Sequence, residues 1–124
     1  VAHSGVELAK MSGAVRIMVA TEHGNAPRLV SAYRPGIPIT AVTDRVRAAR
    51  RVQLLPGVDS LIVKEFERGS QTMQEGLKIL CERGEITVGQ RVVAISGSPL
   101  AMRGATSTTR LYRIAEDGSI QGAE

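Results

Sequence analysis

Four short apolar runs separated by helical patterns constrain the fold of this chain more than any other feature. The runs are VRIMVA at 15–20, IPITAV at 37–42, GVDSLIV at 57–63 and RVVAIS at 91–96. Each is apolar over most of its length, as a strand buried on both faces of a sheet requires. Strands that alternate with helices predict a parallel sheet with helices on both faces.

The segments around these runs carry the start and stop signals of helices. Predicted helices cover 2–12, Asn25 to Pro35, 45–54, and Ser70 or Thr72 to about Arg83. Asn25 is the predicted N-cap of the second helix, and Thr43 or Asp44 that of the third. Glycines at 13 and 84 end the first and last helices, and a proline at 35 stops the second. The predicted apolar faces are Val6, Leu8, Ala9 and Met11; Leu29, Val30 and Tyr33; and Met73, Leu77, Leu80 and Cys81.

The order of the strands follows from the connections between them. No helical pattern separates the fourth run from RLYRIA at 110–115, so this fifth strand is predicted to lie antiparallel at an edge. The chain is expected to form an α/β three-layer sandwich with a mostly parallel five-stranded sheet in the order 3-2-1-4-5. The tail EDGSIQGAE is expected to be frayed. Ligands bind such sheets where the strand order reverses, which here places a site at loops 21–25 and 97–107.

Composition narrows the class of protein. The 124 residues fit one domain, 1–124, and no apolar run is long enough to span a membrane. The single cysteine, Cys81, excludes an internal disulfide and is interpreted as a core residue rather than a nucleophile. Without a visible signal peptide, a cytoplasmic location is expected. The chain begins at Val1 rather than Met, which suggests a piece of a longer protein.

The net charge of +4 favours anionic partners, and the arginines concentrate in RVRAARR at 45–51. A compact arginine helix is typical of a solvated or subunit-facing surface. No nucleic-acid module or aromatic platform accompanies it, so nucleic acid is not the expected partner. A basic nucleic-acid binder using Arg45, Arg47, Arg50 and Arg51 remains the weakest of the alternatives.

The chain contains no recognisable catalytic apparatus. It lacks the glycine-rich signatures of mononucleotide and dinucleotide sites, and its only histidines, His3 and His23, stand alone. No catalytic residue, metal ligand or cofactor is therefore assigned. The pattern speaks against a free-standing enzyme.

The loop 21–25 is the first candidate for an anion site. It feeds the predicted second helix, and a helix N-terminus attracts anions through its free N–H groups and its dipole. Thr21, His23, Gly24 and Asn25 are the candidate donors to a phosphate, while Glu22 would oppose it. The alternative is that the loop supplies only a turn and a cap.

The loop 97–107 is the second candidate. It is rich in hydroxyls and glycines, which allow close backbone approach to a ligand. The alternative is a solvated connector. The candidate phosphate-binding residues in it are Gly97, Ser98, Arg103, Gly104, Thr106 and Ser107.

Several segments together resemble a known family. SAYRPGIPITAVTDRVRAARR, LLPGVDSLIV, GEITVGQRVVAISGSP and RGATSTTRLYRI follow one another as they do in the C-terminal domain of pyruvate kinase. The resemblance spans residues 2 to about 115. It implies an enzyme that transfers phosphoryl from phosphoenolpyruvate to ADP in glycolysis, using magnesium (Mg²⁺) and usually potassium (K⁺) in a barrel domain absent here. It also implies a role in tetramer assembly, and in many members an allosteric sugar phosphate bound between the same two loops.

The effector loop departs from the family pattern T-x-S-G-x-[ST]. His23 replaces the serine and Ala26 the second hydroxyl residue, and each lost hydroxyl removes a hydrogen bond worth about 1.5–3 kcal/mol to a charged group. Gln90 and Ser107 replace a usual aspartate and asparagine. The loop is interpreted as an altered or abandoned anion site, in which His23 would make phosphate binding sensitive to pH near neutrality.

Two hypotheses follow. The first is a regulatory and oligomerisation domain of a pyruvate kinase, inactive alone, forming a homo-oligomer and binding at most a phosphorylated effector. The second is a free-standing relative of that domain that binds a small phosphorylated metabolite. Neither involves nucleic acid or a membrane.

Overall fold

The computed structural model describes residues 2–21, 24–63, 69–96, 108–115 and 120–123. Four helices and six strands lie within these ranges. In chain order they are α1 (Ala2–Ser12), β1 (Arg16–Ala20), α2 (Asn25–Ala32), β2 (Ile39–Thr43), α3 (Val46–Val52), β3 (Val58–Ile62), α4 (Gly69–Glu82), β4 (Arg91–Ser96), β5 (Thr108–Ile114) and β6 (Ile120–Ala123).

The sheet confirms the order predicted for its first five strands. Its full order is β3-β2-β1-β4-β5-β6, with β1 parallel to both β2 and β4, β2 parallel to β3, and β5 antiparallel to β4. The prediction of a frayed tail is wrong in part, because β6 extends the sheet by pairing antiparallel with β5. The tail has few apolar residues, so its own pattern does not indicate a strand. The strand forms because its backbone makes ladder hydrogen bonds with β5.

The two faces of the sheet are covered by different helices. On one face, Met73, Leu77 and Leu80 of α4 pack in a cluster with Met18 of the central strand β1. The other face packs against α1 and α2, through residues such as Val6 and Val30. Alternate residues of β1 therefore serve opposite cores, which gives the predicted three layers.

Three predicted core positions are exposed, and two, Leu8 and Cys81, are only partly buried. Met11 in α1 is 84% exposed, and Leu29 and Tyr33 at α2 are 53% and 49% exposed. Helical spacing places these residues close to the buried stripe, but each helix turns only its narrower inner face to the sheet. Cys81 packs against the α4 cluster as predicted and is partly buried. Burial, with a smaller contribution from Glu82, raises the pKa of its thiol, so the thiol is a weak nucleophile.

The helix ends differ from prediction by a few residues. Gly24, not Asn25, is the N-cap of α2, and Arg45 is that of α3. Thr43 nevertheless contributes, because its Oγ1 accepts a hydrogen bond of 3.1 Å from the Arg45 N–H. The last helix, α4, begins at Gly69, before the two predicted caps. At its end, Gly84 adopts φ 76° and its N–H donates to the Cys81 carbonyl, a Schellman-type stop as predicted.

The amino edge of the sheet, where the parallel strands β1–β4 begin, is closed by one arginine. Nη1 of Arg16 donates to Thr40 Oγ1 at 2.7 Å and lies 3.5 Å from Asp59 Oδ2, and its Nη2 lies 3.4 Å from Glu85 Oε1. The Arg16 side chain is only 12% exposed. The guanidinium thereby connects β1, β2, β3 and the turn before β4.

Candidate functional site

The carboxyl edge of the sheet, where the same parallel strands end, carries hydroxyl side chains. Thr21 directly follows β1, Thr43 ends β2 and Ser96 ends β4, and all three are buried. The Thr21 N–H donates to the Val42 carbonyl at 2.9 Å, which extends the β1–β2 ladder by one residue. Thr21 is therefore held rigidly at the end of the central strand, beside the point where the strand order reverses.

Thr21 also fixes the loop that leads into α2. Its Oγ1 accepts a hydrogen bond of 2.7 Å from the Gly24 N–H. Gly24 adopts φ 98° and ψ 4°, a left-handed conformation that costs glycine little and other residues more. The Gly24 amide, expected from the sequence to face a ligand, is thus engaged within the loop in this structure.

The first turn of α2 retains unused hydrogen-bonding capacity. The first intrahelical hydrogen bond runs from the Arg28 N–H to the Gly24 carbonyl. The N–H groups of Asn25 and Ala26 come before it in the chain and therefore have no acceptor within the helix. Pro27 has no N–H, and among the described residues no side chain caps the start of the helix. Asn25 is exposed. Two backbone donors and the positive end of the helix dipole therefore point outward at the carboxyl edge.

Helix α3 packs directly against this loop. A Cβ placed on Gly24 would lie 3.2 Å from Val52 Cγ1 and 3.5 Å from Arg51 Cδ. A larger residue would require the Val52 side chain to shift by a few tenths of an ångström, and the left-handed backbone conformation also favours glycine. The stem of Arg51 accordingly lies beside the start of α2.

The structure brings together three of the ten predicted site residues: Thr21, Gly24 and Asn25. The other seven lie outside the described residues, and their assignment stays a prediction. They are His23, Gly97, Ser98, Arg103, Gly104, Thr106 and Ser107.

Sequence reasoning missed two residues at this edge as site components, Thr43 and Arg51, whereas Ser96 belongs to the hydroxyls that pointed to the second loop. A signal for Thr43 was present, since the apolar runs VRIMVA, ITAV and RVVAI are each followed by Thr or Ser. A hydroxyl that ends each parallel strand predicts a polar carboxyl edge. Arg51 had no such signal, because its approach to Gly24 depends on how α3 packs beside α2.

Within the described ranges, no group of three or more His, Cys, Asp or Glu residues could hold a metal ion. Among those same residues, no helix is both long and apolar enough to cross a bilayer. The polar groups near Thr21 are hydroxyls and backbone amides, which suit an anion rather than a cation.

The fold and this edge define the class: an open, doubly wound α/β domain with hydroxyl side chains at the strand ends beside its topological switch point. The family model "Pyruvate kinase, alpha/beta domain" matches residues 1–112. The chain belongs to this family.

Individual relatives agree with that assignment. Pyruvate kinase 2 of Synechocystis sp. is 33% identical over 116 residues, which cover 94% of this chain and 19% of that protein. The pyruvate kinase of Eimeria tenella is 31% identical over 97 residues, which cover 78% of this chain and 18% of that protein. The chain thus spans about a fifth of the length of the curated relatives it matches.

A solved structure shows the same fold. The Cryptosporidium parvum pyruvate kinase in complex with ADP superposes with a TM-score of 0.81 at 28% identity. The superposition covers 90% of this chain and 22% of that one. The described helices and strands therefore correspond to one part of a larger enzyme chain.

Proposed function

We propose that this chain is the regulatory and assembly domain of a pyruvate kinase and binds a phosphorylated small molecule at its carboxyl edge. The enzyme as a whole would transfer phosphoryl from phosphoenolpyruvate to ADP. The observation that carries the proposal is the first turn of α2, where the Asn25 and Ala26 N–H groups lie beyond the end of β1 without intrahelical acceptors.

The described residues support a specific division of roles. The Asn25 and Ala26 N–H groups donate to the phosphate, and the dipole of α2 favours its charge. Thr21 Oγ1 already accepts from the Gly24 N–H, which leaves its own hydroxyl hydrogen for a phosphate oxygen. Gly24 contributes its conformation and its lack of a side chain rather than its amide.

The remaining predicted residues complete the proposal. Arg103 of the loop 97–107 would supply a cation, with Gly97, Ser98, Gly104, Thr106 and Ser107 as further contacts. Protonation of His23 would strengthen binding as the pH falls toward 6, because the imidazolium adds a positive charge and a donor. Phosphate binding that is unchanged from pH 5.5 to 8 would contradict this role of His23.

The catalytic part of the reaction would reside elsewhere in the enzyme. Mg²⁺ and K⁺ would serve that part, and this chain would contribute subunit contacts of a homo-oligomer, a tetramer in the complete enzyme. The chain alone is therefore expected to form no pyruvate from phosphoenolpyruvate and ADP. Measurable turnover by the purified chain would contradict this assignment. A cytoplasmic location stays a prediction.

Thermal unfolding with a panel of phosphate compounds tests the binding site. The panel contains inorganic phosphate, sugar monophosphates, sugar bisphosphates and nucleotides. A compound present at 100 times its dissociation constant stabilises the folded chain by about 2.7 kcal/mol, which is a clear rise in Tm. We expect such a rise with at least one sugar phosphate.

The substitution Asn25→Asp separates loss of the site from loss of the fold. A carboxylate in the first turn of α2 favours the helix through its dipole but repels a phosphate. At about 1 kcal/mol for one added charge, binding should weaken about fivefold. Gln74→Glu on the exposed surface of α4 is the matched control, because it makes the same change of charge on the other face of the sheet.

The comparison of the two variants decides the proposal. Weaker phosphate binding by Asn25→Asp, with a Tm of the free protein that is equal to or above that of the parent and an unaffected Gln74→Glu control, supports the site. Equal weakening in both variants would show a general effect of net charge. No stabilisation by any phosphate compound would contradict a working effector site.

A further inference from the structure

The outward side of α3 combines cationic and aliphatic side chains. The helix buries Ala48, Ala49 and Val52 against the sheet. The α3 stripe is the set of residues on its outward side: Val46, Arg47, Arg50 and Leu54. Leu54 lies two positions after the last residue of the helix. Val46 is 52% exposed and Leu54 is 88% exposed.

The charge of the α3 stripe is not balanced locally. The segment from Arg45 to Val58 contains four arginines and no acidic residue. The side chains of Arg47 and Arg50 make no hydrogen bond or ion pair with the described residues. A solvated helix ordinarily alternates the sign of its charges, because like charges three or four residues apart destabilise it.

The helix dipole explains only part of this arrangement. Arg50 lies in the last turn of α3, where a cation is favourable. Arg47 is the second residue of the helix, and there a cation is unfavourable. Neither local helix stability nor internal pairing therefore accounts for Arg47.

Strand β3, an end strand in the sheet order, adds a further exposed apolar side chain on this side of the domain. Leu61 belongs to the α4 cluster, so its neighbour Ile62 points to the opposite face of the sheet, and it is 50% exposed. Helix α3 covers that same face, since Val52 reaches Gly24 at the start of α2. Arginine is enriched in protein interfaces, and exposed apolar side chains beside it provide apolar area that a partner can bury.

We propose that the α3 stripe docks an acidic, leucine-containing segment of a partner protein. Carboxylates of the partner would pair with Arg47 and Arg50, whose planar guanidinium groups bind carboxylates in a bidentate manner. Aliphatic side chains of the partner would pack on Val46 and Leu54. A nucleic-acid surface would instead place aromatic rings among the cations for base stacking, and the stripe has none.

Fluorescence anisotropy with a labelled peptide tests the proposal. The probe is a synthetic peptide of about fifteen residues in which Glu and Asp alternate with Leu, and the competitor probe is a single-stranded oligonucleotide of similar net charge. We expect saturable peptide binding that weakens at least tenfold in the double variant Arg47→Ala/Arg50→Ala. Leu54→Ser should weaken binding about threefold with no change in the dependence on salt.

The matched control is Arg110→Ala/Arg113→Ala, which removes the same charge from exposed positions on β5. Peptide binding by this control should stay within twofold of the parent. Circular dichroism establishes that each variant is folded, and Arg47→Gln/Arg50→Gln replaces the alanine pair if that pair unfolds. The proposal is contradicted by absent peptide binding, by equal loss in the control, or by oligonucleotide binding that requires Arg47 and Arg50 and exceeds peptide binding.

Discussion

The two edges of the sheet are built from opposite chemistry. At the amino edge, Nη1 and Nη2 of Arg16 reach Thr40, Asp59 and Glu85, while its buried Nε has no hydrogen-bond partner among the described residues. At the carboxyl edge, Thr21 and Gly24 bond to each other, but the N–H groups that open α2 have no intrahelical acceptor. The first edge joins three strands and a turn through one side chain, and the second leaves backbone donors without intrahelical acceptors.

This difference follows from the direction of the strands. In a parallel sheet the helices that follow each strand begin at the carboxyl edge, so their free N–H groups and positive dipole ends gather there. The amino edge receives the carbonyl ends of the preceding helices, which attract cations. The side chains match this polarity of the helix ends. An arginine lies at the amino edge, and hydroxyl groups lie where the strands end at the carboxyl edge.

The substitution Gly24→Ala should have the largest effect of the changes that test this comparison. An alanine would sit at φ 98° with its Cβ 3.2 Å from Val52 Cγ1. Backbone strain of about 1–2 kcal/mol and a crowding cost of about 1 kcal/mol together predict a loss of about 2–3 kcal/mol in the free energy of unfolding. Urea denaturation measures this loss.

Gly13→Ala is the matched control for that substitution. Gly13 has φ 72° but open space around its missing Cβ, so only the backbone strain of about 1–2 kcal/mol applies. Equal losses in the two variants would mean that the approach of α3 to Gly24 has no energetic consequence.

Removal of the arginine from the amino edge should be the next largest effect. Arg16→Met keeps much of the aliphatic stem but loses the bond to Thr40 and both ion pairs. Asp59 and Glu85 are 58% and 35% exposed, so solvent weakens both ion pairs with Arg16. We expect the substitution to lower the free energy of unfolding by about 1–2 kcal/mol in total. Phosphate binding at the carboxyl edge should be unchanged.

Arg110→Met, at an exposed position on β5, controls for the removal of one positive charge and should alter stability by less than about 0.5 kcal/mol. If Arg16→Met is no more destabilising than this control, the amino edge is not held by its arginine. If it abolishes phosphate binding without loss of fold, the two edges are not independent.

Loss of the Thr21 hydroxyl should have the smallest effect on stability. Thr21→Val is nearly isosteric and leaves the Gly24 N–H without its acceptor, for a loss of about 1 kcal/mol. Thr21→Ser retains the hydroxyl and should preserve phosphate binding. A valine variant that binds phosphate as tightly as the serine variant would exclude the hydroxyl from the site.

The two edges also differ in how far the sequence predicted them. Apolar runs and connection lengths predicted the strand order and its reversal beside β1, because these patterns reflect the burial of strands and the path of the chain. The bond from Gly24 to Thr21 was not foreseen, since the rotamer of a threonine depends on the loop around it. The contacts of Arg16 were missed for a similar reason: they join residues 24, 43 and 69 positions apart.

The C-terminal strand β6 is a second feature that the sequence did not predict. The segment that forms β6 has little apolar pattern of its own, and its structure depends on the partner strand β5. Local propensity cannot reveal a strand whose stability comes mainly from an edge already formed elsewhere.

Amide chemical shifts during a titration with a sugar phosphate distinguish the two edges of the sheet. We predict saturable changes at the amides of Gly24, Asn25 and Ala26, and no changes at Thr40 and Asp59 on the amino edge. Those changes should require about fivefold more ligand in Asn25→Asp. Absence of changes at residues 24–26 under saturating ligand, or changes confined to the amino edge, would contradict the account.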